Sequence, residues 1–125
     1  MTHLAEPATI LVVDDEFLIR MDLRDTLEGA GFCVLEAADS NQALVLLRTQ
    51  TVAVMVTDVN MPGGMDGLAL VREVHREFPA ICSIIASGRA SETDVRLSGC
   101  DKFFPKPYSA VAVARAVTEM VQNAV

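Results

Sequence analysis

The sequence predicts an α/β domain: five short parallel strands, each followed by a helix, with helices on both faces of the sheet. Two observations carry this. Short continuous apolar runs alternate five times with segments whose apolar residues recur at three and four. Most of those runs also lack polar alternation, as strands buried on both faces do.

Thr9 to Val13 (TILVV) is the first strand. From Glu16 to Glu28, Phe17, Leu18, Met21, Leu23 and Leu27 form a helical apolar face, which Gly29 and Gly31 end. Cys33 to Ala37 is the second strand. Asp39 or Ser40 then caps a helix with Ala43, Leu44 and Leu47 inward. Ala53 to Thr57 is the third strand and runs straight into Asp58. A Pro-Gly-Gly loop, Met61 to Met65, leads to a helix from about Asp66 to Phe78, with Leu68, Val71 and Val74 inward. Ile81 to Ala86 is the fourth strand. Arg89 to Gly99 is polar, with only Ala90, Val95 and Leu97 to bury, and predicts a short, weakly anchored helix. Lys102 to Phe104 is the fifth strand. Ser109 caps a last helix, Ala110 to about Gln122.

Composition narrows the function. The 125 residues form one domain, with its core at about 9–122. With 51% apolar residues and no Trp, that core is aliphatic. A net charge of −7 opposes direct nucleic-acid binding, which needs clustered Lys and Arg. No apolar run is long enough to span a membrane and no signal peptide is visible. Cys33, Cys82 and Cys100 lack paired spacing and predict buried free thiols in a reducing cytoplasm. His3 and His75 lie far apart and predict surface positions.

Ligands of such sheets sit at the carboxyl ends of the strands. There the sequence places Asp14-Asp15-Glu16, Asp58, Ser87-Gly88 and Lys106-Pro107. Three aspartates at one rim repel one another or demand a cation, and Mg²⁺ suits all-oxygen donors. Asp58 is a candidate nucleophile towards a phosphoryl group. Lys106 would offset charge on the phosphoryl oxygens, Ser87 would donate to one of them, and Gly88 would leave room for the backbone.

These residues resemble the receiver domains of bacterial response regulators. The likeness rests on ILVVDDE (Ile10–Glu16), TDVNMPGGMDG (Thr57–Gly67), IIASG (Ile84–Gly88) and FFPKPY (Phe103–Tyr108), four motifs in order. It implies a flavodoxin-like fold with strand order 2-1-3-4-5. It implies that Asp58 accepts phosphate from a histidine kinase or histidine phosphotransfer protein. Mg²⁺ would be bound by Asp15, Asp58 and the backbone carbonyl of Asn60, and by Asp14 mainly through water. Ser87 and Lys106 would contact the phosphoryl group, Ser87 and Phe103 would move as a switch, and Pro107 would follow a cis bond.

Four features depart from the usual pattern. The loop after Asp58 has one extra Gly, and the stretch from Ser87 to Lys106 is about one helical turn short. Phe103 replaces the commoner Tyr, and Ser87 the commoner Thr. Asn60 and Arg89 would tune the phosphoryl lifetime.

A downstream protein or a second copy would bind through the fourth helix, fifth strand and last helix, with Val113 and Ala116 contributing. Phe17, Leu18, Arg20 and Met21 would dock the phosphodonor. The chain ends soon after the last helix, so it would act by protein contact. It would be a phosphoacceptor rather than an enzyme. Three rivals remain: a Mg²⁺-dependent phosphohydrolase, which would want Asp-x-Asp after the first strand; a flavodoxin, whose phosphate Asp14-Asp15-Glu16 would repel; and a receiver that works without phosphorylation, against which the intact set of Asp14, Asp15, Asp58, Ser87 and Lys106 speaks.

Overall fold

A computed structural model describes residues 6–88 and 90–123; His3 and Arg89 lie outside them. Ten elements follow in order: β1 (Thr9–Val13), α1 (Phe17–Gly29), β2 (Cys33–Ala37), α2 (Ser40–Thr49), β3 (Val54–Thr57), α3 (Gly67–Glu77), β4 (Cys82–Ser87), α4 (Glu92–Ser98), β5 (Lys102–Pro105) and α5 (Ala110–Asn123). All strand pairs are parallel, in the order β2-β1-β3-β4-β5. This is the flavodoxin-like arrangement that the motifs imply.

The apolar strands feed two cores. Leu11, Val13, Met55 and Ile85 face α2, α3 and α4. Ile10, Val12, Val54, Val56, Ile84 and Ala86 face α5 and the Leu23–Leu27 side of α1. Successive strand residues thus enter opposite cores, which is why the runs show no polar alternation. Met55 is fully buried, and Met21, Met61, Met65 and Met120 are half-buried fillers.

Capping explains where the helices start. Asp39, rather than Ser40, accepts from the backbone N–H of Gln42 at 2.8 Å. Asp66 caps α3 through Ala69 N–H, Ser91 caps α4 through Asp94 N–H, and Ser109 accepts from Ala112 N–H.

Several side chains lie elsewhere than their periodicity predicts. Phe17 and Leu18 are exposed, because the buried stripe of α1 runs through Leu23 and Leu27. On α3, Leu70 is fully buried and Leu68 only partly. On α4, Val95 is buried but Leu97 is 73% exposed, since residues two apart on a helix face nearly opposite ways. Val113 is fully buried under α5, whereas Val111 is exposed, so Val113 adds nothing to an outer surface. Cys33 is exposed on the edge strand β2, and Cys82 and Cys100 are half-buried free thiols. His75 is exposed.

Candidate functional site

Strand register brings the polar ends together. Val13 pairs with Ala37 and Thr57, Thr57 with Ile85, and Ser87 with Pro105. The ladder bonds continue one residue beyond the strands: Asp14 N–H to Ala37 O at 3.0 Å, Asp58 N–H to Val13 O at 3.0 Å, and Lys106 N–H to Ser87 O at 3.1 Å. Asp14, Asp58 and Lys106 are therefore placed by sheet hydrogen bonds rather than by free loops. The Lys106–Pro107 peptide bond is cis.

A cleft of about 410 Å³ opens at this rim, lined by Asp15, Glu16, Asp58, Asn60, Gly88 and Lys106. Lys106 Nζ donates to Asp14 Oδ2 at 3.1 Å, Asp58 Oδ2 at 3.2 Å and Glu16 Oε1 at 3.5 Å. Asp58 Oδ1 accepts from the Val59 N–H at 2.7 Å. Asp14 Oδ1 accepts from the Glu16 N–H at 2.9 Å, which turns the chain into α1.

Burial raises the Asp14 carboxyl above its ordinary value, outweighing its hydrogen bonds from the Glu16 N–H and Lys106. Burial pulls the Lys106 ammonium down. Its hydrogen bond to Asp14 and the charges of Asp14 and Asp58 more than compensate, so it stays cationic. Burial, with the nearby Asp14 charge, pushes the Tyr108 phenol up to about 12.

Each candidate residue has a place. Asp14, Asp58 and Ser87 are buried; Asp15, Asn60 and Gly88 are exposed at the cleft; Lys106 is half-buried. Phe103 is half-buried and packs against the core cluster that holds Val95 of α4. A Cβ at Gly88 would meet Lys106 Cβ at 3.5 Å, an ordinary contact, so steric room is not what glycine supplies there.

The reading of the sequence missed two residues. Glu16 brings a carboxylate oxygen within 4.8 Å of those of Asp14 and Asp58, whereas Asp15 lines the cleft without joining that group among the described residues. The third acid of Asp-Asp-Glu was the available signal. Gly67 is the other: a Cβ there would lie 1.9 Å from the Asp58 carbonyl oxygen and 2.8 Å from Val59 Cα. Only glycine lets α3 begin against the strand end that holds Asp58. The cue was its place at the predicted helix start.

Three carboxylates at this spacing form the hard-oxygen donor set that suits Mg²⁺. They would repel the phosphate of a flavin, as the sequence suggests. A doubly covered parallel sheet carries an acidic, lysine-bridged cleft at its carboxyl rim.

Known proteins supply the rest. The model of the response regulator receiver domain matches residues 10–118, and the chain belongs to that family. It is 37% identical over 127 residues to the sensor kinase CckA of Brucella abortus (strain 2308), covering 98% of this chain and 13% of that protein. It is 36% identical over 117 residues to the DNA-binding transcriptional regulator NtrC of Salmonella typhimurium, covering 87% of this chain and 24% of that protein. The chain thus spans a quarter or less of the length of these curated relatives. A solved CheY-like receiver domain protein from Methanospirillum hungatei JF-1 shares the fold, with a TM-score of 0.88 at 24% identity over 94% of this chain and 96% of that one. Among the described residues no helix is long and apolar enough to cross a membrane.

Proposed function

We propose that Asp58 is the phosphoacceptor of a two-component relay, loaded by a histidine kinase or histidine phosphotransfer protein. The observation that carries this is the Lys106 ammonium, held between the Asp14 and Asp58 carboxylates at the strand ends. An Asp58 carboxylate oxygen attacks phosphorus, the bond from phosphorus to the donor histidine nitrogen breaks, and that nitrogen leaves with the electron pair. Asp14, Glu16, Asp58 and the Asn60 carbonyl would hold Mg²⁺, with Asp15 at the mouth of the cleft. Bound there, Mg²⁺ supplies positive charge opposite the phosphoryl oxygens.

Lys106 then exchanges its carboxylate contacts for a phosphoryl oxygen, and the Ser87 hydroxyl donates to another. Ser87 closes the end of β4, which pairs with the strand carrying Phe103. Its movement reshapes the surface of α4, β5 and α5, where Leu97 and Val111 are exposed, and a downstream protein or second copy binds there. Exposed Phe17 and Leu18, beside the cleft, suit docking of the phosphodonor.

The module is a phosphoacceptor with at most slow self-dephosphorylation. A Mg²⁺-dependent phosphohydrolase is less favoured, because the first strand ends in Asp-Asp-Glu and the family match is to receivers. Turnover of p-nitrophenyl phosphate is expected to be negligible. The main test is labelling by acetyl phosphate with Mg²⁺. Wild type should take one phosphoryl group and Asp58→Asn none; undiminished labelling of Asp58→Asn would sink the assignment.

A further inference from the structure

Behind the cleft lies a clamp that uses none of the rim's carboxylates. Arg20, on the first turn of α1, donates from its Nη1 to the backbone carbonyl of Asp14 at 2.6 Å and from its Nε to Glu36 Oε1 at 2.9 Å. Glu36 lies on β2 and pairs in register with Val12. Its other oxygen accepts from Arg24 Nη1 at 2.9 Å. Burial opposes ionisation of Glu36, but the hydrogen bonds from Arg24 and Arg20 hold its carboxyl below the usual value. Arg20 also lies 5.5 Å from the centroid of the Phe17 ring, so its remaining face is covered. The backbone of Asp14 is thus held on both sides: its N–H by Ala37 on β2, its carbonyl by a guanidinium anchored on β2.

The geometry points to Arg20 as a positioning residue for the Mg²⁺ pocket, with Glu36 as its anchor. The carbonyl that Arg20 holds belongs to the peptide joining Asp14 to Asp15. Its orientation sets where the side chains of Asp15 and Glu16 leave the backbone. A planar guanidinium with two fixed donors can hold both a carbonyl and a carboxylate; an ammonium cannot reproduce that fork. This inference rests on the Mg²⁺ reading of the rim.

Charge and position predict opposite outcomes here. If Arg20 acted only through its charge, removing a cation beside clustered acids would tighten Mg²⁺ binding. If it positions the acids, removing it weakens binding despite the more negative pocket, by about 10-fold as for other groups that orient metal ligands.

The test is a Mg²⁺ titration of the full chain, followed through the backbone amide resonances of residues 14–16 and 58–60. Arg20→Ala should bind about 10-fold more weakly. The Arg20→Ala/Glu36→Ala double variant should be no weaker than Arg20→Ala alone, because the two act as one unit. Charge alone would return that double variant to wild-type affinity. Arg48→Ala, which breaks the remote Arg48–Glu77 pair between α2 and α3, should bind as wild type. Should Arg20→Ala not fold, Arg20→Lys serves, and it should still bind more weakly than wild type.

Arg20→Ala binding as tightly as wild type or tighter, a double variant restored to wild type, or an unaffected Arg20→Lys overturns the inference. A wild-type chain whose rim resonances ignore Mg²⁺ overturns the Mg²⁺ reading itself.

Discussion

The rim and the α4 face are held in different ways. At the rim, Asp14, Asp58 and Lys106 extend the sheet ladders, and β1 and β3, beneath the two aspartates, are almost wholly buried. At the other face, α4 has seven residues, of which only Val95 and Ser98 are buried. A helix that short has no independent stability. Val95 is its main apolar anchor, and burying one such side chain contributes only about 1.5–3 kcal/mol. Gly99, at φ +84°, ends it in the left-handed region. The proposed chemistry would therefore sit on the rigid end and the proposed switch surface on the weak one. A switch needs only a few kcal/mol of differential contact to bias such an element.

Substitutions at the two regions should differ accordingly. Gly67→Ala at the rim should have the largest effect. Its Cβ meets backbone atoms of Asp58 and Val59, which cannot rotate away. It should cost about 3 kcal/mol in urea unfolding and disturb Mg²⁺ uptake with it. Wild-type stability would show that the rim is softer than the packing implies.

Val95→Ala should cost about 1–2 kcal/mol, read mainly as faster amide exchange across α4 with β1 and β3 unchanged. Loss of protection throughout the sheet would show that α4 is part of the rigid unit.

Asp14→Asn sharpens the electrostatic side. Asp14 has its carboxyl raised in the folded state by burial, so its charge opposes folding above the unfolded value of about 3.9. Without Mg²⁺, Asp14→Asn should melt above wild type at neutral pH. The gap should close as pH falls through the folded value and both states of Asp14 become protonated. Saturating Mg²⁺ should stabilise wild type more than the variant.

Leu97→Ser should have the smallest effect on stability, within about 0.5 kcal/mol, because the side chain is already in water. It should nevertheless weaken capture of a partner by the beryllofluoride-loaded protein.

The same contrast governs what the sequence reveals. The strands and their polar ends are legible because a sheet buried on both faces leaves a continuous apolar signature, and its register carries Asp14, Asp58, Ser87 and Lys106 to one edge. The helices are less legible where apolar residues occupy more than one face. Leu97 and Val113 lie on the opposite side from the one their pattern suggests for this reason, since periodicity cannot tell a core stripe from an exposed one when both are apolar. Gly67 matters through a close approach to Asp58, and Arg20 through a partner sixteen residues away on another element. Neither relation exists before the chain is folded.

The central claim is that loading Asp58 changes the α4 face while the rim keeps its frame. Amide hydrogen exchange, compared with and without beryllofluoride and Mg²⁺, tests it most directly. The predicted result is altered exchange across Ala90–Phe104, with β1 and β3 as protected as before and no response in Asp58→Asn. Unchanged exchange in α4 and β5 of a protein that has demonstrably bound beryllofluoride would contradict it.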